Sequence, residues 1–127
     1  MLPFLKRKRR VLLLDDDPSM QRLVSALLQR DGYRVDTFLT GRDALRAMEN
    51  KMYDVLLLDL MMPHEGGMTV IRYLQAKQPD VLRRVLILSG STQAIIGKME
   101  NAVAGVVHKP FEPPDLLGAV HRISKPQ

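Results

Sequence analysis

The chain has 127 residues, a formal charge of +5 and 46% hydrophobic residues, which suits a single domain with a real core. It has no cysteine, which excludes a disulfide framework, a thiol nucleophile and a zinc–thiolate site. No apolar run approaches the roughly 20 residues of a membrane span, so the expectation is a cytoplasmic protein with no membrane partner.

Met1-Leu2-Pro3-Phe4-Leu5 stands before its charges instead of after them, a poor signal peptide. Lys6-Arg7-Lys8-Arg9-Arg10 is an unbroken run of cations. Residues 1–9 read as a basic leader, either solvated or touching an anionic surface. Residues 10–14 are a strand of valine and leucine. Asp17-Pro18 then supplies an N-cap and a proline at the first helical position. Met20, Leu23, Val24, Leu27 and Leu28 fall at 3,4 spacing and predict one apolar helix face, with Gly32 as the stop. Tyr33 to Phe38 alternates like an edge strand. Thr40 can cap a second helix through about Glu49, with Ala44, Leu45 and Met48 turned inward.

Val55 to Leu58 and Val85 to Leu88 carry no polar alternation, so both read as strands covered on both faces, as in a parallel sheet flanked by helices. Between them, residues 61–67 form a loop. A helix from about Met68 to Lys77 carries Val70, Ile71 and Leu74 and ends at Pro79. Residues 92–101 are assigned to a fourth helix, weakened by Gly97 and a poor apolar stripe. Val106-Val107 is a short fifth strand. Pro113-Pro114 opens a last helix with Leu116, Leu117, Val120 and Ile123 on one side. Strict strand–helix alternation predicts an α/β doubly wound parallel sheet in a three-layer sandwich.

In such sheets ligands bind beyond the carboxyl ends of the strands. Four apolar runs end there in polar residues: Asp15-Asp16-Asp17, Asp59, Ser89 and, through His108, Lys109. Asp17 is the natural helix cap. Asp15, Asp16 and Asp59 would crowd like charges, which raises a pKa or recruits a cation, and Mg²⁺ suits carboxylates combined with phosphate oxygens. Lys109 precedes Pro110, which fixes its backbone and aims its ammonium at the acids; that bond could be cis. A phosphoryl group on Asp59 would meet Mg²⁺, Lys109 and the Ser89 hydroxyl, as phosphoryl transfer requires.

Leu14-Asp15-Asp16-Asp17-Pro18, Leu58-Asp59-Leu60-Met61-Met62-Pro63 with Gly67, Leu88-Ser89-Gly90 and His108-Lys109-Pro110-Phe111 resemble, in order, the receiver domain of two-component response regulators. The resemblance covers about residues 10–124 and leaves 125–127 as a tail or the start of a linker. It implies a flavodoxin-like fold of five strands in order 2-1-3-4-5 with five helices. It implies that Asp59 takes a phosphoryl group from a phosphohistidine on a sensor histidine kinase or a histidine phosphotransfer protein. Asp16, Asp59 and the Met61 carbonyl would ligate Mg²⁺ directly, and Asp15 through water. Ser89, Gly90 and Lys109 would bind the phosphoryl oxygens and carry the switch. The chain would then be a self-phosphorylating acceptor with slow autodephosphorylation, not a turnover enzyme. The dimer or effector face would be the fourth helix, fifth strand and fifth helix.

The chain departs from the family at two places. Val106 stands where an aromatic side chain usually couples to the Ser/Thr, and the segment between Ser89 and Lys109 is slightly short. The resemblance also implies that Met61 and Ser91, two residues beyond Asp59 and Ser89, would flank the path of the hydrolytic water; Met61 offers a water no useful hydrogen bond, which predicts a long-lived phosphoaspartate. One rival reading is a haloacid dehalogenase-like phosphatase, with Asp15 as nucleophile and Asp17 as acid/base. It lacks an acidic pair after Lys109. The other is a nucleic-acid binder using Lys6 to Arg10. With no helix-turn-helix and no stacking platform, the sequence argues against direct nucleic-acid binding by this domain alone.

Overall fold

The computed structural model describes residues 8–60, 62, 66–90 and 102–125. Five strands, β1 (Arg10–Leu14), β2 (Arg34–Phe38), β3 (Val55–Asp59), β4 (Val85–Ser89) and β5 (Gly105–His108), form one parallel sheet. Their order is β2-β1-β3-β4-β5. Helices α1 (Pro18–Arg30), α2 (Gly41–Met48) and α3 (Gly67–Lys77), and a C-terminal helix (Pro113–Ser124), complete the layers. The fourth helix expected over 92–101 lies outside the described residues.

Period-two alternation along the strands divides the core in two. Leu12, Leu14, Leu56, Leu58, Val85 and Ile87 face a cluster with Ala44 of α2 and Val70, Ile71 and Leu74 of α3. Val11, Leu13, Val55, Leu57, Leu86 and Leu88 face a second cluster with Val24 and Leu28 of α1 and Leu116, Ala119 and Val120 of the C-terminal helix. Continuous apolar strands are thus the consequence of helices on both faces.

The starts of α1 and α2 have side-chain caps. The Asp17 side chain accepts from Ser19 N at 2.9 Å, with Pro18 next to it. Thr40 Oγ1 accepts from Asp43 N at 3.2 Å. Gly32 ends α1 at φ 96°, where a side chain would be strained. One expectation needs correction. Leu23, placed on the buried face of α1, is 49% exposed: Val24 and Leu28 alone hold the centre of that face, and Leu23 lies at its edge. Between α3 and β4, Pro79–Arg84 forms a 3-10 helix that buries Leu82, an element not assigned from the sequence.

Candidate functional site

The carboxyl ends of β1, β3, β4 and β5 set the site, and the backbone at each end is held by bonds that continue the ladder beyond the strands. Asp15 N donates to Phe38 O at 3.2 Å, Leu60 N to Leu88 O at 3.3 Å, and Lys109 N to Ser89 O at 3.0 Å. The side chains therefore leave from a rigid edge. Asp15 and Ser89 are wholly buried and Asp59 is nearly so, whereas Asp16 is exposed.

Carboxylate oxygens of Asp15, Asp16 and Asp59 all lie within 4.8 Å of one another. Lys109 Nζ enters between two of them, 3.1 Å from Asp15 Oδ2 and 3.3 Å from Asp59 Oδ2. Burial pulls the Lys109 pKa down, but the Asp59 charge, followed by the hydrogen bond and charge of Asp15, outweighs burial and holds the ammonium above its ordinary value. Lys109 thus stays charged. Three carboxylates against one ammonium leave net negative charge, which a hard divalent cation can neutralise. Asp15 Oδ1 accepts from Asp17 N at 2.9 Å and its Oδ2 from Lys109. With both oxygens engaged, Asp15 suits contact with a cation through water, while Asp16 is open to solvent.

The Lys109–Pro110 peptide is cis. Ser89 is the last residue of β4, in register with His108, and Gly90 after it is exposed. Val106 pairs in register with Ile87 and packs, partly buried, against the α2–α3 side of the core. Met61 and Ser91 lie outside the described residues. Asp17 takes no part in the cluster: its carboxylate caps α1, and Asp59 occupies the third acidic place, so the phosphatase reading gains no support.

Two contributors carry no sequence signal of their own. Gln21 Nε2 donates to Asp15 O at 2.9 Å and Phe38 O at 2.8 Å, joining α1 to the ends of β1 and β2. A polar residue inside an amphipathic helix looks like solvated surface until the strand ends are in place. Gly67 carried only the family pattern. The structure supplies its reason: a Cβ there would stand 2.5 Å from the Asp59 carbonyl oxygen, so α3 starts against β3 only if residue 67 has no side chain.

The model of the response regulator receiver domain matches residues 11–121. The chain belongs to that family. Among curated receiver-containing proteins, it is 30% identical over 113 residues to the DNA-binding response regulator MtrA of Mycolicibacterium smegmatis, a match that covers 89% of this chain and 49% of that protein. The chain spans about half the length of the curated relatives it matches. Among solved structures it resembles chemotaxis response regulator CheY4 of Vibrio cholerae, with TM-score 0.80, 30% identity, and coverage of 92% of this chain and 99% of that one. It also resembles TrrA of Thermotoga maritima, solved with Mg²⁺-BeF, with TM-score 0.79, 28% identity, and coverage of 91% and 98%. TrrA has been solved in complex with the histidine kinase ThkA as well. These structures share the receiver fold found here. No helix among the described residues is long and apolar enough to cross a membrane.

Proposed function

We propose that the chain is the phosphoaccepting switch of a two-component relay and that Asp59 is the acceptor. The observation that carries this reading is the Lys109 ammonium, shared between Asp15 and Asp59 in a pocket of acids. An Asp59 oxygen attacks the phosphorus of a phosphohistidine, the P–N bond breaks, and the imidazole nitrogen leaves with the electron pair. Lys109 is placed to hold one phosphoryl oxygen as charge develops, and Ser89, at the end of β4, is placed to donate to another. Asp15 keeps Lys109 oriented.

Asp16 and Asp59, with Asp15 through water and the Met61 carbonyl, would hold Mg²⁺. The cluster fits the ion, since its oxygens converge and the one Lys109 ammonium offsets only part of its charge. When bound, the ion neutralises carboxylate and phosphoryl charge, as such ions do in phosphoryl transfer.

The donor is a sensor histidine kinase or a histidine phosphotransfer protein. The kinase complex of TrrA supports the first of these. We assign the folded receiver to residues 10–124, with 1–9 as a basic leader and 125–127 as a tail. The output face would include β5 and the C-terminal helix, together with the helix expected over 92–101, and could serve a homodimer. Val106, too short to swing as an aromatic relay would, leaves backbone movement around Ser89 and Gly90 as the route of the switch.

The test is labelling with acetyl phosphate, or binding of beryllofluoride, in the presence of Mg²⁺. Asp59 takes the group and Asp59→Asn abolishes it. Label on Asp15 would overturn the receiver mechanism.

A further inference from the structure

The end of the sheet opposite the acidic site is basic. Arg10 and Arg34 begin β1 and β2 and pair in register, and Arg34 N donates to Arg9 O at 2.8 Å. With Lys8 before β1 and Lys51 before β3, they line a cavity of about 640 Å³. Cations from three separate stretches of chain therefore converge on one concave site. Asp36 is the only carboxylate among the described residues that line it. It is already held by the Tyr53 hydroxyl at 2.6 Å and by Lys51 Nζ at 3.4 Å. Tyr33, also on the wall, is buried, and its hydroxyl lies 3.0 Å from Ser124 Oγ at the end of the C-terminal helix. The cations thus project from a wall that packed elements brace.

Four cations against one partnered carboxylate select an anion of several charges. Arginine favours phosphate, whose oxygens match the guanidinium fork. Shape decides the size of the ligand. The cavity has the volume of a small-molecule site, whereas duplex DNA and a bilayer present their charge on broad surfaces that meet only its rim. A short chain of linked phosphates carries its charge in a body that enters. The acidic cluster, on the order of 15 Å away at the other ends of the strands, repels the same anion, so the two ends of the sheet sort ligands by sign. We propose that the cavity between Lys8, Arg10, Arg34 and Lys51 binds a small soluble polyphosphate anion, either an inorganic polyphosphate or the phosphate chain of a nucleotide. This site is separate from Asp59 and does not depend on phosphorylation there.

The test is calorimetric titration of the full chain with inorganic triphosphate in EDTA, which keeps divalent metal from drawing the anion to the acidic cluster. Triphosphate should bind more tightly than inorganic phosphate, because it meets several cations at once, and its affinity should fall with salt. Arg34→Ala with Lys51→Ala should weaken binding about tenfold, roughly threefold for each exposed charge contact. Arg72→Ala with Lys77→Ala removes the same charge from exposed positions on α3 and should leave affinity unchanged. Urea midpoints show that both variants are folded. Tighter binding of ATP than of triphosphate identifies a nucleotide as the ligand; equal or weaker binding identifies the free polyphosphate. No binding of triphosphate, affinity no greater than that for phosphate, or equal losses in the two variants overturns the proposal, the last by showing attraction to overall charge alone. Tighter binding of a duplex oligonucleotide or of phosphatidylglycerol vesicles than of triphosphate also overturns it and makes the macromolecular surface the occupant.

Discussion

Lys109 reaches Asp59 from a different strand end, and its Nζ stands 3.3 Å from Asp59 Oδ2. The contact spans 50 residues of sequence, and the same ammonium serves Asp15 at 3.1 Å. It is therefore the internal counter-ion of two buried carboxylates, and its removal should be felt in stability as well as in signalling.

Lys109→Met should cost about 2 kcal/mol in metal-free buffer, below the usual cost of breaking a buried pair because Lys109 keeps 22% of its side chain exposed. Mg²⁺ should restore part of the loss. Asp16→Asn should act the other way, raising metal-free stability by relieving repulsion while weakening Mg²⁺ binding. Urea midpoints in EDTA and in Mg²⁺ measure both; a Lys109→Met midpoint equal to wild type in EDTA contradicts the counter-ion role.

Two glycines should respond with opposite signs. Gly67→Ala brings a Cβ against the Asp59 carbonyl, which is backbone and cannot yield cheaply, so it should cost about 1–3 kcal/mol and weaken beryllofluoride binding. Gly118→Ala, inside the C-terminal helix with nothing within 4 Å of its Cβ, should stabilise by about 0.5–1 kcal/mol. Thermal or urea denaturation of the two variants side by side checks the pair.

Stability should fall in alkali. Burial, then the hydrogen bond to Asp36, hold the Tyr53 hydroxyl well above its ordinary pKa of 10.0, and the Lys109 pKa is raised above 10.5. The folded chain keeps protons that the unfolded chain releases near those ordinary values. Their contribution is complete below about pH 10 and is lost as pH climbs through the folded values. Tyr53→Phe should flatten this decline while costing about 1 kcal/mol at neutral pH. Urea midpoints between pH 8 and pH 11.5 report it, and an unchanged slope in Tyr53→Phe counts against the assignment.

Phosphorylated protein should lose its label slowly in Mg²⁺. If Met61 flanks the water's path, as the family resemblance implies, its thioether would offer that water no useful hydrogen bond, so Met61→Asn should shorten the lifetime and Met61→Ala should shorten it less. A wild-type lifetime of seconds, or faster decay in Met61→Ala than in Met61→Asn, refutes this.

Apolar runs bounded by polar tips made β1, β3, β4 and β5 legible, whereas the edge strand β2 was legible from its alternation. The acidic triplet was legible in part: Asp17 followed by proline marks a cap whatever surrounds it, and Asp15, Asp16 and Asp59 stood out by position. Contacts between distant segments were hidden. The Tyr33 hydroxyl lies 3.0 Å from Ser124 Oγ across 91 residues, and Tyr53 reaches Asp36 on the edge strand. Neither pair shares a periodicity, and each exists only once the sheet order brings its elements together. The 3-10 helix at Pro79–Arg84 escaped notice because it is short and follows a proline that reads as a stop.

Gln21 has a mechanical consequence. Its amide grips two carbonyls, one from β1 and one from β2, and so fastens α1 to the half of the sheet that carries Asp15. That half is a fixed jaw. Across the cleft, β4 ends at Ser89, and the next residue, Gly90, is exposed, with no described residue within 4 Å of where a Cβ would stand. Under the proposed phosphorylation of Asp59, the half of the sheet gripped by Gln21 would resist a load and the Ser89–Gly90 side would take it up.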